Sequence, residues 1–140
     1  MGEGSVHHIN SAKEWQALLS STQYVVADFY ADWCGPCKQI APMYEMLAKT
    51  LSIPQFLAFA KINVDTVKPV AMQYRVTAMP TFMFFKESKQ VAVNGNALIQ
   101  GADWPTLKLA SEKMGKFVQS GTFKNLNIRL RNATLRSGGG

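Results

Sequence analysis

The sequence predicts a single α/β domain, and three observations carry that reading. Apolar residues switch repeatedly between the spacing of strands and that of amphipathic helices, a pattern of alternating elements around one sheet. The run from residue 24 to 31 is apolar almost throughout, as a strand covered on both faces must be. The chain has 140 residues, 47% apolar and only 17% charged, which is enough to bury one core without help from disulfides. Internal repeats are absent.

Taken in order, residues 5–9 read as a first strand. Ser11 followed by Glu14 has the spacing of a capping box, and the helix it opens places Trp15, Leu18 and Leu19 on one face. The buried strand at 24–31 follows, carrying one carboxylate, Asp28. After Trp33-Cys34-Gly35-Pro36-Cys37 comes a helix with Ile40, Tyr44, Leu47 and Leu51 on one face, expected to kink at Pro42. Residues 56–64 read as a strand and 67–74 as a short helix with Pro69 in its first turn, while 81–85 and 90–93 form an antiparallel hairpin. Asp103-Trp104-Pro105 opens a last helix with Leu107, Ala110, Met114 and Phe117 inward, expected to stop near Gly121. This divides the chain into a domain at 1–120 and a C-terminal extension at 121–140. The extension alternates apolar and polar residues through Leu126-Asn127-Ile128-Arg129-Leu130-Arg131 and ends in three glycines, so it reads as disordered or as an added edge strand.

The net charge is +6, and its distribution argues against nucleic acid as the partner. Residues 1–118 hold eleven cations and nine anions, a net +2, whereas 119–140 hold four cations (Lys124, Arg129, Arg131 and Arg136) and no anion. Four charges without an aromatic series make neither a nucleic-acid face nor a membrane anchor. No apolar stretch approaches the roughly 18 residues of a membrane span, and the start of the chain lacks the charged-then-apolar pattern of a secretion signal. A cytoplasmic protein is expected.

Only two cysteines are present, Cys34 and Cys37, separated by two residues where a buried strand gives way to a helix. That placement suits thiol–disulfide exchange: one helical turn brings both sulfurs to the same side, and the free N–H groups of the helix start stabilise a thiolate at Cys34. Cys34 is therefore the candidate nucleophile and Cys37 the resolving thiol. Lowering a thiol from about 8.5 to about 7 raises its thiolate fraction at pH 7 from roughly 3% to roughly 50%. The accompanying loss of nucleophilicity, for a Brønsted slope of about 0.45, is roughly fivefold. The net gain is small, so placement matters more: Cys37 meets the mixed disulfide at an effective concentration no free thiol reaches. Pro36 fixes the intervening backbone. A zinc site would need four ligands, yet no other cysteine exists and the only histidines, His7 and His8, sit in the leading segment. A structural disulfide across so short a loop would stabilise little.

The segments Asp28-Phe29-Tyr30-Ala31-Asp32-Trp33-Cys34-Gly35-Pro36-Cys37-Lys38, Lys61-Ile62-Asn63-Val64-Asp65, Met79-Pro80-Thr81-Phe82 and Gly101-Ala102 together resemble the thioredoxin family in one collinear order over residues 5–118. The resemblance implies a thioredoxin fold, a three-layer α/β/α sandwich with a central five-stranded mixed sheet and four flanking helices. It also implies a protein-disulfide reductase, a monomeric electron carrier that needs no cofactor beyond its redox-active cysteine pair. Its partners would be client proteins with disulfides and a thioredoxin reductase drawing on NADPH.

Carried over residue by residue, Asp28 matches the family's buried aspartate, which manages the proton of Cys37; a carboxylate in an apolar strand should indeed hold its proton unusually tightly. Lys61 matches a lysine placed near that aspartate, although alone it reads equally as a solvated strand lysine. Pro80 matches a cis-proline facing the disulfide, where base rates alone would favour trans. Trp33, Gly35 and Pro36 belong to the active-site loop, and Met79, Pro80, Thr81, Gly101 and Ala102 to the surface that would pair with an extended client segment. Tyr30 stands where many members carry tryptophan. The span 86–101 is about four residues longer than usual, with Asn94-Gly95-Asn96 marking a bulge or extended turn. The competing reading is an interaction module of this fold whose basic tail binds a partner, with the cysteines incidental.

Overall fold

A computed structural model describes residues 5–138, with side chains as far as Gly121. Strand β1 (His7–Ile9) leads into α1 (Ala12–Ser21), where the Ser11 hydroxyl accepts the Glu14 N–H at 3.1 Å and so caps the helix. Strand β2 (Tyr24–Tyr30) is followed by α2 (Gly35–Leu51), which continues through Pro42 to end at Ser52. Then come β3 (Leu57–Asn63), α3 (Lys68–Gln73), β4 (Thr81–Lys86), β5 (Lys89–Val91), β6 (Leu98–Gln100) and α4 (Trp104–Gly138).

The sheet runs β1-β3-β2-β4-β5, with β6 also paired to β4. Strands β1, β3 and β2 are parallel; β4 runs antiparallel to β2, and β5 and β6 antiparallel to β4. Alternation along the strands sends successive side chains to opposite faces, and each face has its own core. Tyr24, Val26, Phe59, Phe82 and Phe84 pack beneath α2 and α4. Val25, Ala27, Phe29, Ala60 and Ile62 pack with Trp15 and Val70 beneath α1 and α3. These are the three layers expected. The Tyr44 hydroxyl, wholly buried, lies 3.0 Å from the Val26 carbonyl oxygen and 2.8 Å from that of Ala60, tying α2 to two strands of the sheet.

Three expectations need correction. The sheet has six strands rather than five, because the edge position beside β4 is filled by two short strands. Val93 and Asn96 exchange backbone hydrogen bonds of 3.0 and 2.9 Å around Asn94 and Gly95, whose φ angles of 52° and 80° are those of a type I′ turn. That turn leaves β5 on one half of β4 and β6 on the other. Secondly, α4 does not stop near Gly121, nor is the segment after it a strand. Gly121 lacks the positive φ of a terminating glycine, and no proline follows Pro105, so the helix passes through at a cost of only about 1 kcal/mol. The side chains of Lys124, Leu126, Ile128, Arg129, Leu130, Arg131 and Arg136 lie outside the described residues. Thirdly, Phe117 is 40% exposed and Val118 takes the inward position. Leu107, Ala110, Ser111, Met114 and Val118 follow a 3.6-residue period, and Phe117 falls one step off that line.

Candidate active site

The site forms where β2 ends and α2 begins. Parallel β2 and β3 place Tyr30 beside Asn63, and the chain leaving β2 turns back so that the Cys34 N–H donates to the Ala31 carbonyl at 3.2 Å. Cys34 is the N-cap of α2, with extended backbone, and Gly35 and Pro36 form the first turn. A proline there loses nothing, since its missing N–H would have had no helical partner. Cys37 is one turn on, and its N–H donates to Cys34 Sγ at 3.2 Å. The two cysteines are joined as a disulfide, with their Cα atoms 5.3 Å apart. Both are buried against Ala31, with Tyr30, Val64 and Met79 packed around them.

The helix start distinguishes the two sulfurs. Cys34 Sγ receives an N–H from the first turn, so negative charge on it is stabilised by that bond and by the helix dipole. On its other side Sγ lies 3.5 Å from the Met79 carbonyl oxygen. The Met79–Pro80 peptide is cis. Pro80 is buried, and its carbonyl accepts the Gly101 N–H at 2.8 Å. This bond fixes Gly101 against Pro80, at a φ of 88° that favours glycine. Thr81 is buried, its hydroxyl 2.5 Å from the Ala78 carbonyl, and Ala102 is exposed beside Gly101.

Asp28 is buried to 1% exposure, two residues before Tyr30 on the strand face that packs under α2. Neither of its carboxyl oxygens has a hydrogen-bond partner among the described residues. Burial pushes its pKa up to about 7, against a smaller opposing pull from Lys61. Lys61 is opposite Asp28 in the β2–β3 register, but its ammonium sits 4.4 Å from the centre of the Tyr30 ring. Tyr30's own hydroxyl is raised above its ordinary value, chiefly by burial.

Trp33, expected as part of the active-site loop, is 69% exposed and held by a hydrogen bond from its indole N–H to Asp65 Oδ2 at 2.9 Å. Sequence reasoning gives Asp65 no role at the site. Its place in the motif after Lys61 is visible there, but the register that carries it to Trp33 is not. Among the described residues no cluster of three or more His, Cys, Asp or Glu side chains could hold a metal. No helix among them is long and apolar enough to cross a membrane.

The thioredoxin family model matches residues 5–103. Over 119 residues, 85% of this chain and 93% of the relative, the sequence is 68% identical to a thioredoxin of Neurospora crassa. The chain belongs to the thioredoxin family. A thioredoxin-like protein of Fusarium culmorum is 65% identical over 114 residues, covering 81% of this chain and 94% of that one. The solved structure of Plasmodium falciparum thioredoxin superposes with a TM-score of 0.69 at 37% identity, over 77% of this chain and 98% of that one. As a thioredoxin-family protein with the paired cysteines intact, the chain is a thiol–disulfide oxidoreductase that reduces protein disulfides through Cys34 and Cys37 and uses no separate cofactor. The reading of a bare interaction module finds no support in these matches.

Proposed function

We propose that Cys34 is the attacking thiol and Cys37 the resolving one, with Asp28 as the proton acceptor for Cys37. In the dithiol form, the Cys34 thiolate attacks one sulfur of a client disulfide. A bond forms between Cys34 and that sulfur, and the other client sulfur leaves as a thiolate that takes a proton from water. Cys37 then gives its proton to Asp28 and attacks Cys34 Sγ, closing the intramolecular disulfide and expelling the second client thiolate. Two electrons pass to the client, and the pair is left oxidised. The observation that carries this assignment is the Cys37 N–H donated to Cys34 Sγ at the start of α2, which favours charge on that sulfur.

Met79, Pro80, Thr81, Gly101 and Ala102 would receive the client, in extended form, beside the Met79 carbonyl that already borders Cys34. Main-chain pairing of that kind admits many sequences. A thioredoxin reductase using NADPH would return the electrons, and the protein would act as a cytoplasmic monomer. We also assign the working domain to residues 1–120 and treat 121–140 as an extension outside the chemistry. The test is trapping: with insulin as client, Cys37→Ser should accumulate a covalent adduct at Cys34, and Cys34→Ser should form none. An adduct forming through Cys37 as readily as through Cys34 would reverse the assignment.

A further inference from the structure

We propose that Tyr30 is a positioning residue for the buried acid: its ring holds the Lys61 ammonium over its face and so keeps that cation out of hydrogen-bond reach of Asp28. The inference rests on the reading of Asp28 as the proton acceptor. Its geometry comes from the sheet. Asp28 and Tyr30 are two apart on β2 and share a face, and Lys61, opposite Asp28 on the parallel neighbour β3, points to the same face. In that register the two side chains are cross-strand neighbours of opposite charge. Here the ammonium is 4.4 Å from the Tyr30 ring centroid, and both Asp28 oxygens are without a hydrogen-bond partner among the described residues.

The physical reason is a competition between two sites for one cation. At Asp28 the ammonium would have to enter a wholly buried position and give up its water. At Tyr30, which is half-buried, it gains the electron-rich ring face while remaining at a groove of about 290 Å³ lined by Tyr30, Asp32, Cys37, Lys38 and Lys61. Lys61 therefore acts on Asp28 only through space, too weakly to cancel the effect of burial, and the carboxyl stays a proton acceptor near neutrality.

No other group among the described residues takes the place of Lys61. From β4 the residue opposite Asp28 is Phe82. From α2, Lys38 lines the same groove but Lys61 is the one cation that acts on the carboxyl, Cys37 is held in the disulfide, and the Tyr44 hydroxyl lies against the Val26 and Ala60 carbonyls. The inward residues of α4, among them Leu107, Ala110 and Met114, carry no charge. Asp32, after β2, is an anion and bears on the Tyr30 hydroxyl.

The experiment follows the Asp28 carboxyl by carbon NMR through a pH titration of the oxidised protein. Tyr30→Leu frees the ammonium to approach the carboxylate and should lower the midpoint by about one pH unit. Tyr30→Trp keeps a ring face and should leave the midpoint within about 0.3 pH units. In a Lys61→Met background Tyr30→Leu should move nothing, because the cation it releases is gone. An unchanged midpoint in Tyr30→Leu overturns the inference, as does the same fall in Tyr30→Trp or in the Lys61→Met background. The pH profile of insulin reduction is recorded alongside. A shifted titration with an unmoved profile upholds the role of Tyr30 and removes Asp28 as the proton acceptor.

Discussion

At the scale of single residues, Asp28 sets the behaviour of the molecule with pH. Its carboxyl moves from 3.8 to about 7 on folding because the charged form is stripped of water. The native state therefore binds this proton more tightly than the unfolded chain does. Stability from this group is complete below pH 3.8 and is lost as pH rises towards and through 7. The full cost above that window is of order 4 kcal/mol, at about 1.4 kcal/mol for each pH unit that separates the folded and unfolded midpoints. Asp28→Asn should accordingly be more stable than the parent at pH 8 by a few kcal/mol and nearly equal to it at pH 4, read by urea unfolding at the two pH values. Equal stabilities at pH 8 would mean that the carboxylate is solvated or paired in the folded protein. The buried carboxylate is legible in the sequence, since one acid in an apolar strand has no other environment. Its isolation from Lys61 is not, because side-chain partners across strands depend on a register the sequence does not display.

At the scale of elements, two glycines should respond with opposite sign. Gly95 holds a φ of 80° in the turn between β5 and β6, so Gly95→Ala should cost about 1 kcal/mol by forcing a side chain into the left-handed region. Gly115 is within α4, with ordinary helical backbone and Leu51 Cδ2 3.5 Å from where a Cβ would stand, an ordinary contact. Gly115→Ala should stabilise by about 0.5–1 kcal/mol through helix propensity alone. Thermal unfolding of the two variants checks both signs. The signals legible at this scale are local ones: the Ser11–Glu14 cap, the Cys34 cap of α2 and the opening of α4 at Asp103, whose Oδ1 accepts the Thr106 N–H at 3.3 Å. The end of α4 is not legible from Gly121, because glycine ends a helix only if the backbone turns left-handed there, and at Gly121 it does not. Strand β6 escapes sequence reading because three residues beyond a tight turn carry no periodicity to detect.

At the scale of the whole molecule, the sheet does the assembling. It brings the end of β2, the start of β4 and the segment after β6 to one end of the sheet, where Tyr30, Ala31, Val64 and Met79 pack around one pair of sulfurs. The order of the layers and the place of the pair at a strand-to-helix junction are legible, because they follow from the buried run at 24–31 and the helix after it. The bond between Trp33 and Asp65 spans 32 residues and exists only once β2 and β3 are in register. The packed face of α4 ends with Val118 among the described side chains, so a chain ending at Ser120 retains every inward contact of those side chains. That shortened chain should fold and reduce insulin within about twofold of the full-length rate, as expected for a terminus outside the core. A rate lost with the fold intact would place the extension in client binding.

The central claim is that this pair reduces disulfides in other proteins from Cys34. Its most direct test is insulin-disulfide reduction driven by dithiothreitol, comparing the full chain with Cys34→Ser. The expected result is rapid precipitation of the insulin B chain with the parent protein and the uncatalysed rate with the variant. Equal rates for the two, with both folded, would contradict it.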